Sequence, residues 1–260
     1  MKIFLSALEN GNPLNNSWLS SLDTKPGSKL KWNLVSYYYS RDKSRYPRAC
    51  FIRDHSDELL VDSGAHSFQK GIKVQWDKYV DSYCTFIKDF DRPNVLGHFE
   101  MDIDAIVGYE KVLAYRKKLM RVTDKIIPVW HKNRGIAEYH NMCKAFSGKI
   151  VAISGFKNED IADDQFISFL KVAKKHGCRL HCLGMTRRKI LDRVPFDYVD
   201  SSSWRQPFIY ARVKGLDGKQ KKVDSAWFRV PTNRDKVEYE CYKAGMVMQK
   251  EYYEKWRHLK

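Results

Sequence analysis

Carboxylates at the ends of apolar runs are the residues here whose type and spacing could do chemistry. Val61-Asp62-Ser63-Gly64 and Val199-Asp200-Ser201 each close a β-prone run with an Asp followed by Ser. Such an Asp-Ser can cap the next helix. A ring of such carboxylates with glycines around one barrel mouth would also suit a flat heterocycle with many hydrogen-bonding edges. Asp102 and Asp104 follow His98-Phe99-Glu100. Positions i and i+2 share a face in extended chain, so the two acids suit either Mg²⁺ or the N–H donors of a purine-like edge. Which of them faces a pocket stays open. His131, after Pro128-Val129-Trp130, could orient a ligand or be a satisfied buried histidine. Gly64, Gly155 and Gly184 stand at further run ends, where a missing Cβ lets a flat heterocycle approach the backbone. Neither G-x-x-x-x-G-K-[ST] nor G-x-G-x-x-G occurs, which removes support for the common nucleotide-cofactor folds.

These residues need a scaffold that brings strand ends together. Predicted strands are Lys2–Ala7, Leu34–Tyr39, Glu58–Asp62, Val95–Met101, Ile126–Trp130, Ile150–Ser154, Leu180–Gly184 and Phe196–Asp200. Helical periodicity marks Trp76–Phe90, Val107–Met120, Ile136–Phe146 and Ile161–His176, the last closed by Gly177. Alternation of this kind predicts a closed parallel (β/α)8 barrel, with a doubly wound sheet as the alternative. After Trp204 the rhythm changes. Phe208–Lys214, a turn at Leu216-Asp217-Gly218 and Val223–Val230 read as a β-hairpin, and Pro231 opens a long helix. The expected organisation is a catalytic barrel over 1–204 and a basic hairpin-and-helix appendage over 205–260, packed on it.

Composition bounds the function. The 260 residues carry 47 Lys and Arg against 31 Asp and Glu, a formal net charge of +16, which favours a polyanionic partner. A hydrophobic fraction of 43% supports a full core. No apolar run approaches the roughly 18 residues of a membrane span, and the start is too short for a signal segment, so a cytoplasmic protein is expected. Six scattered cysteines suggest no disulfide framework. Cys178 and Cys182, with His176 and His181 nearby, allow a zinc site, but a helix end running into a buried strand reads better.

Taken in order, Asp62-Ser63-Gly64-Ala65 with Phe68, the acidic fourth strand, Ser154-Gly155, Leu183-Gly184 and Phe196-Asp197-Tyr198-Val199-Asp200-Ser201 resemble the tRNA-guanine transglycosylase superfamily. The likeness runs from about Asp62 to Trp204 and is closest to the short, phage-type branch that places 7-deazaguanines in DNA. It implies an irregular (β/α)8 TIM barrel and a pentosyltransferase that exchanges guanine for a 7-deazaguanine free base. Asp200 would be the nucleophile and Asp62 the general acid/base. Ser63, Gly64, Asp102 or Asp104, His131, Gly155, Gly184 and Met185 would bind the heterocycle. No cofactor is implied, no resident metal is expected because the chain lacks the family's zinc cysteines after Trp204, and the location would be the cytoplasm, that of the host if the gene is a phage's.

Two departures shape the partner. The family's tRNA enzymes carry a C-x-C-x-x-C zinc cluster after the barrel, whereas Cys241 is the one cysteine after Trp204 here. Ala65 and His66 also replace the usual Gly and Phe. Without a zinc module, DNA is the expected substrate; the alternatives are action on tRNA, or a non-catalytic nucleic-acid-binding relative. Arg205, Arg212, Lys214, Lys219, Lys221 and Lys222 are the expected backbone contacts.

Overall fold

A computed structural model describes residues 1–10, 30–68, 74–155, 161–216 and 219–259, with the His66 side chain left aside. Its nine parallel strands are β1 (Lys2–Ser6), β2 (Leu30–Ser36), β3 (Ser56–Asp62), β4 (Val95–Phe99), β5 (Ile126–Ile127), β6 (Val129–Trp130), β7 (Ile150–Ser154), β8 (Arg179–Leu183) and β9 (Tyr198–Ser201). They are ordered β5-β4-β3-β2-β1-β9-β8-β7-β6. The two edges, β5 and β6, flank the single residue Pro128. Proline has no N–H to give a ladder, which splits one strand into two pairs. Glu100 N still donates to Ile127 O at 3.0 Å, and Ala152 N to Pro128 O at 2.9 Å. The sheet therefore closes on itself, and the architecture is an eight-stranded parallel barrel, as the sequence predicts.

Alternation along each strand fills both sides of the wall. Phe4, Leu34, Leu60, Phe99, Ile127, Val129, Ala152 and Tyr198 form one buried cluster, the lumen. Their neighbours Ile3, Leu5, Val35, Val61, Ile126, Val151 and Val199 belong to a second cluster under the helices. Near-continuous apolar strands are what a sheet buried on both faces requires. Carried to the strand ends, the alternation puts Ser36, Asp62, Ser154 and Asp200 on the lumen side, in a polar layer above the apolar plug.

The helix Trp76–Phe90 matches its prediction, and those at Tyr109–Met120, Gly135–Ala145 and Phe166–Lys175 differ only at their ends. Gly177, at φ +69°, follows the last of these. The second strand does not run to Tyr39 as expected: it spans Leu30–Ser36, and Tyr37–Ser40 is a short helix. Its ladder stops because Ser36 N donates to Glu9 Oε1 at 2.9 Å and the Ser40 hydroxyl takes Ser36 O at 2.8 Å.

The hairpin is shorter than expected. It pairs β10 (Arg212–Lys214) with β11 (Gln220–Lys222), the predicted Asp217 and Gly218 lying outside the described residues. Ser225–Arg229 is helical rather than extended, because Asp224 caps it by accepting from Trp227 N at 2.8 Å. The helix Pro231–Trp256 packs on the outer face of β1 and β2. Gln249 donates to Ile3 O and Trp32 O at 2.8 and 2.7 Å, and Tyr242 to Asn33 at 2.9 Å. Gly245 allows this approach, since a Cβ there would lie 2.9 Å from Leu5 Cδ1. Among the described residues, no helix is long and apolar enough to cross a membrane.

Candidate active site

Three carboxylates gather where the lumen opens at the C-terminal ends of the strands. Asp200, on β9, accepts from His181 Nε2 at 3.0 Å and from Gly184 N at 2.9 Å, both on Oδ1. That leaves Oδ2 without a partner among the described residues. Asp62, at the end of β3, accepts from Gly64 N at 3.0 Å and Ser36 Oγ at 3.4 Å, both on Oδ2. Asp102 lies beyond β4 with Oδ1 at 2.5 Å from His131 Nε2.

The three share one electrostatic environment. The Asp62 carboxyl is pushed up to about 7, first by burial and then by the charges of Asp200 and Asp102. The apolar plug beneath keeps water from screening them from below. A mouth in which one acid keeps its proton toward neutrality with two further carboxylates close by suits a reaction that develops positive charge at carbon and moves one proton.

The structure separates Asp102 from Asp104. Asp104 is 6% exposed at its side chain and accepts from Arg134 Nε at 3.1 Å and Asn133 Nδ2 at 2.9 Å. Those partners hold its carboxyl below the usual range despite burial. It is thus an anchor of the loop rather than the ligand-facing acid. Arg134 also reaches Glu100, which is fully buried, pairs with Arg116 and accepts from Val129 N at 2.8 Å. This network fixes the end of β4 against β6. Asp102, Asp104 and His131 present ligand atoms within 4.8 Å of one another, compact enough for a divalent ion. The Arg134 guanidinium on Asp104 opposes a second cation at that carboxylate.

Other predicted residues take different places. Ser63 is buried on the wall side, with its hydroxyl lacking a partner among the described residues. Gly64 has φ +71°, and a Cβ there would sit 2.3 Å from Tyr38 Cβ, so glycine serves packing as well as its N–H. A Cβ at Gly155 would strike Cys182 Sγ at 2.5 Å, and Met185 is wholly buried. Both therefore belong to the wall. Cys178 donates to Cys143 O, and it lies four residues, about 13 Å of extended chain, from Cys182. His181 is on the opposite face, so these residues cannot share one zinc. Arg205 is not free for a phosphate: it donates to Asn10 O at 2.9 Å and Glu238 at 3.4 Å. Arg212, Lys219, Lys221 and Lys222 are exposed on the hairpin, and Lys214 half-buried.

His181 and Ser36 were not among the predicted site residues. The signal for both was alternation: each is in phase with the lumen residues of its own strand, Leu183 and Leu34.

No family model matches the chain, and no curated protein matches its sequence. Among solved structures it is similar to a mandelate racemase/muconate lactonizing protein from Herpetosiphon aurantiacus, at 12% identity and a TM-score of 0.46. That match covers 86% of this chain, and the chain spans about 62% of that protein's length.

Proposed function

We propose that the chain is a base-exchange transglycosylase that replaces guanine in DNA by a 7-deazaguanine through a covalent Asp200–C1′ intermediate. The observation that carries this reading is the Asp62–Asp200 pair. Both lie at one barrel mouth, where burial first, and then the charges of Asp200 and Asp102, push the Asp62 carboxyl up to about 7. In the first displacement, Asp200 Oδ2 attacks C1′ as the N-glycosidic bond breaks. The Asp62 proton passes to the leaving guanine. In the second, ionised Asp62 takes the N9 proton of the incoming base, whose nitrogen displaces Asp200 from C1′. Configuration is retained, Asp62 ends protonated, and no net oxidant or energy source is consumed. Asp102, backed by His131, accepts from the N–H edge of the base. The target base must leave its stack, at about a few kcal/mol, while the basic surface holds the backbone.

The test is incorporation of labelled guanine into duplex DNA, single-stranded DNA and tRNA side by side, with Asp200→Asn as control. Exchange into DNA is expected, together with a protein–DNA adduct that Asp200→Asn abolishes and a turnover lowered at least about 10³-fold. Incorporation confined to tRNA would move the substrate and leave the chemistry. An adduct formed normally by Asp200→Asn would reassign the nucleophile.

A further inference from the structure

Beside the mouth, the segment after β2 and the one after β3 enclose a cleft of about 980 Å³ that none of these steps uses. Its working surface is Tyr38, Tyr39, Arg41, Arg45, Phe68 and Lys78. The Tyr38 and Phe68 rings meet edge to face with centroids 4.9 Å apart, and Tyr39 meets Tyr38 at 5.0 Å. The Arg41 guanidinium lies 4.9 Å from the Tyr38 ring and 5.5 Å from Phe68, while Arg45 lies 5.6 Å from Tyr39. Tyr38, Tyr39 and Phe68 are half-buried, whereas Arg41 and Lys78 are exposed. The one acid among the described residues of this lining, Asp42, accepts from Ser44 N and Oγ on Oδ1, against the three cations.

Ring faces interleaved with cations are what an unpaired nucleic-acid strand requires. Bases stack on aromatic side chains and guanidinium planes, and phosphates take the charges. An aromatic groove alone would also suit a proline-rich segment, but three cations beside the rings favour an anionic chain. The position is as informative as the composition. Ser36, which donates to Asp62, directly precedes the tyrosines, and Gly64, whose N–H holds Asp62, packs against Tyr38. The cleft is thus tied through Ser36 and Gly64 to the Asp62 side of the mouth.

We infer that the Tyr38–Phe68–Arg41 cleft is a single-strand subsite for nucleotides adjacent to the one at the mouth. Bases stack on Tyr38, Tyr39 or Phe68, and phosphates meet Arg41, Arg45 and Lys78. Its place beside the reacting nucleotide rests on the exchange reading above; the binding itself does not.

The probe is a short oligothymidylate with one central 2-aminopurine, which contains no guanine to exchange. Fluorescence quenching reports stacking, and anisotropy reports affinity. Wild type should bind with quenching. Tyr38→Ala and Phe68→Ala should lose the quenching and weaken binding about tenfold or more, while Tyr38→Phe keeps both. Arg41→Ala should weaken binding and lower the salt slope by about one while retaining quenching, a split that a purely structural role would not give. Asp200→Asn should bind like wild type, so failure of exchange leaves this readout untouched. Equal quenching in wild type, Tyr38→Ala and Phe68→Ala would overturn the subsite even with exchange intact. So would a proline-rich decapeptide that displaces the oligonucleotide at lower concentration.

Discussion

Asp62 carries its proton toward neutrality because burial and two neighbouring carboxylates all penalise its charge. If a neutral Asp62 is the acid that releases guanine, release measured under single-turnover conditions should fall as pH rises through about 7. Removing the Asp200 charge should lower the Asp62 pKa, seen by carboxyl-resolved NMR of Asp200→Asn; an unmoved Asp62 would show that the two acids do not share a field. Gly64 ties this acid to the fold. Gly64→Ala places a Cβ 2.3 Å from Tyr38 Cβ at φ +71°, so urea unfolding should show a loss of about 2–4 kcal/mol. Asp62 and Asp200 were legible in the sequence because each ends an apolar run. Their partners were not. Ser36 reaches Asp62 from the neighbouring strand and His181 reaches Asp200 from another, and such contacts exist only once strand register is set. The choice between Asp102 and Asp104 likewise waited on where Arg134 and Asn133 fell.

Strands buried on both faces announce themselves as short apolar runs, which is why all eight expected strands appear near their predicted places. The elements that escaped were those in which one side chain redirects the backbone. Three tyrosines read as strand, yet Glu9 and Ser40 take the hydrogen bonds of Ser36 and turn the chain into helix. Val223–Val230 read as strand, yet Asp224 caps a helix there. The hairpin that remains sets Arg212 directly opposite Lys222 and Val213 opposite Lys221. Like charges facing across a ladder repel, and a phosphate chain laid along this face would relieve the strain. Replacing Lys219, Lys221 and Lys222 by Ala should therefore flatten the dependence of log Kd on log salt for duplex DNA by about 2–3. Capture of the free 7-deazaguanine should not change. An unaltered salt slope would remove the hairpin from the interface and return the polyanion to other basic surfaces.

At the scale of the whole molecule, the chain beyond Trp204 belongs to the barrel rather than hanging from it. The helix Pro231–Trp256 covers β1 and β2, and its Glu238 enters a buried polar network near the mouth. Glu238 lies 3.7 Å from Arg48 and 3.4 Å from Arg205. Glu9, 1% exposed, joins the same network through Ser36 N. Burial pushes the Glu9 carboxyl up to about 7, against the pull of the Ser36 N–H, its own backbone N–H and the Arg205 and Arg48 charges. An acid whose affinity for protons is higher when folded stabilises the fold fully below its unfolded pKa. That contribution is lost as pH rises to the folded value, because the unfolded chain sheds the proton first. Glu9 should therefore contribute about 2–3 kcal/mol near pH 4.5 that is gone by about pH 7, and Asp62 acts in the same direction. Asp91 and Asp104, held below the usual carboxylate range, act at lower pH and with opposite sign. His98, lowered by burial, opposes this below its ordinary 6.5, but one group set against two leaves the urea midpoint falling between about pH 5 and 8. Glu9→Gln should keep the low-pH stability and remove about half of that slope, since both acids are pushed up to about 7. A midpoint that stays level or rises across this window in the wild type would mean that Glu9 is ionised in the folded barrel, with Arg48 and Arg205 neutralising it.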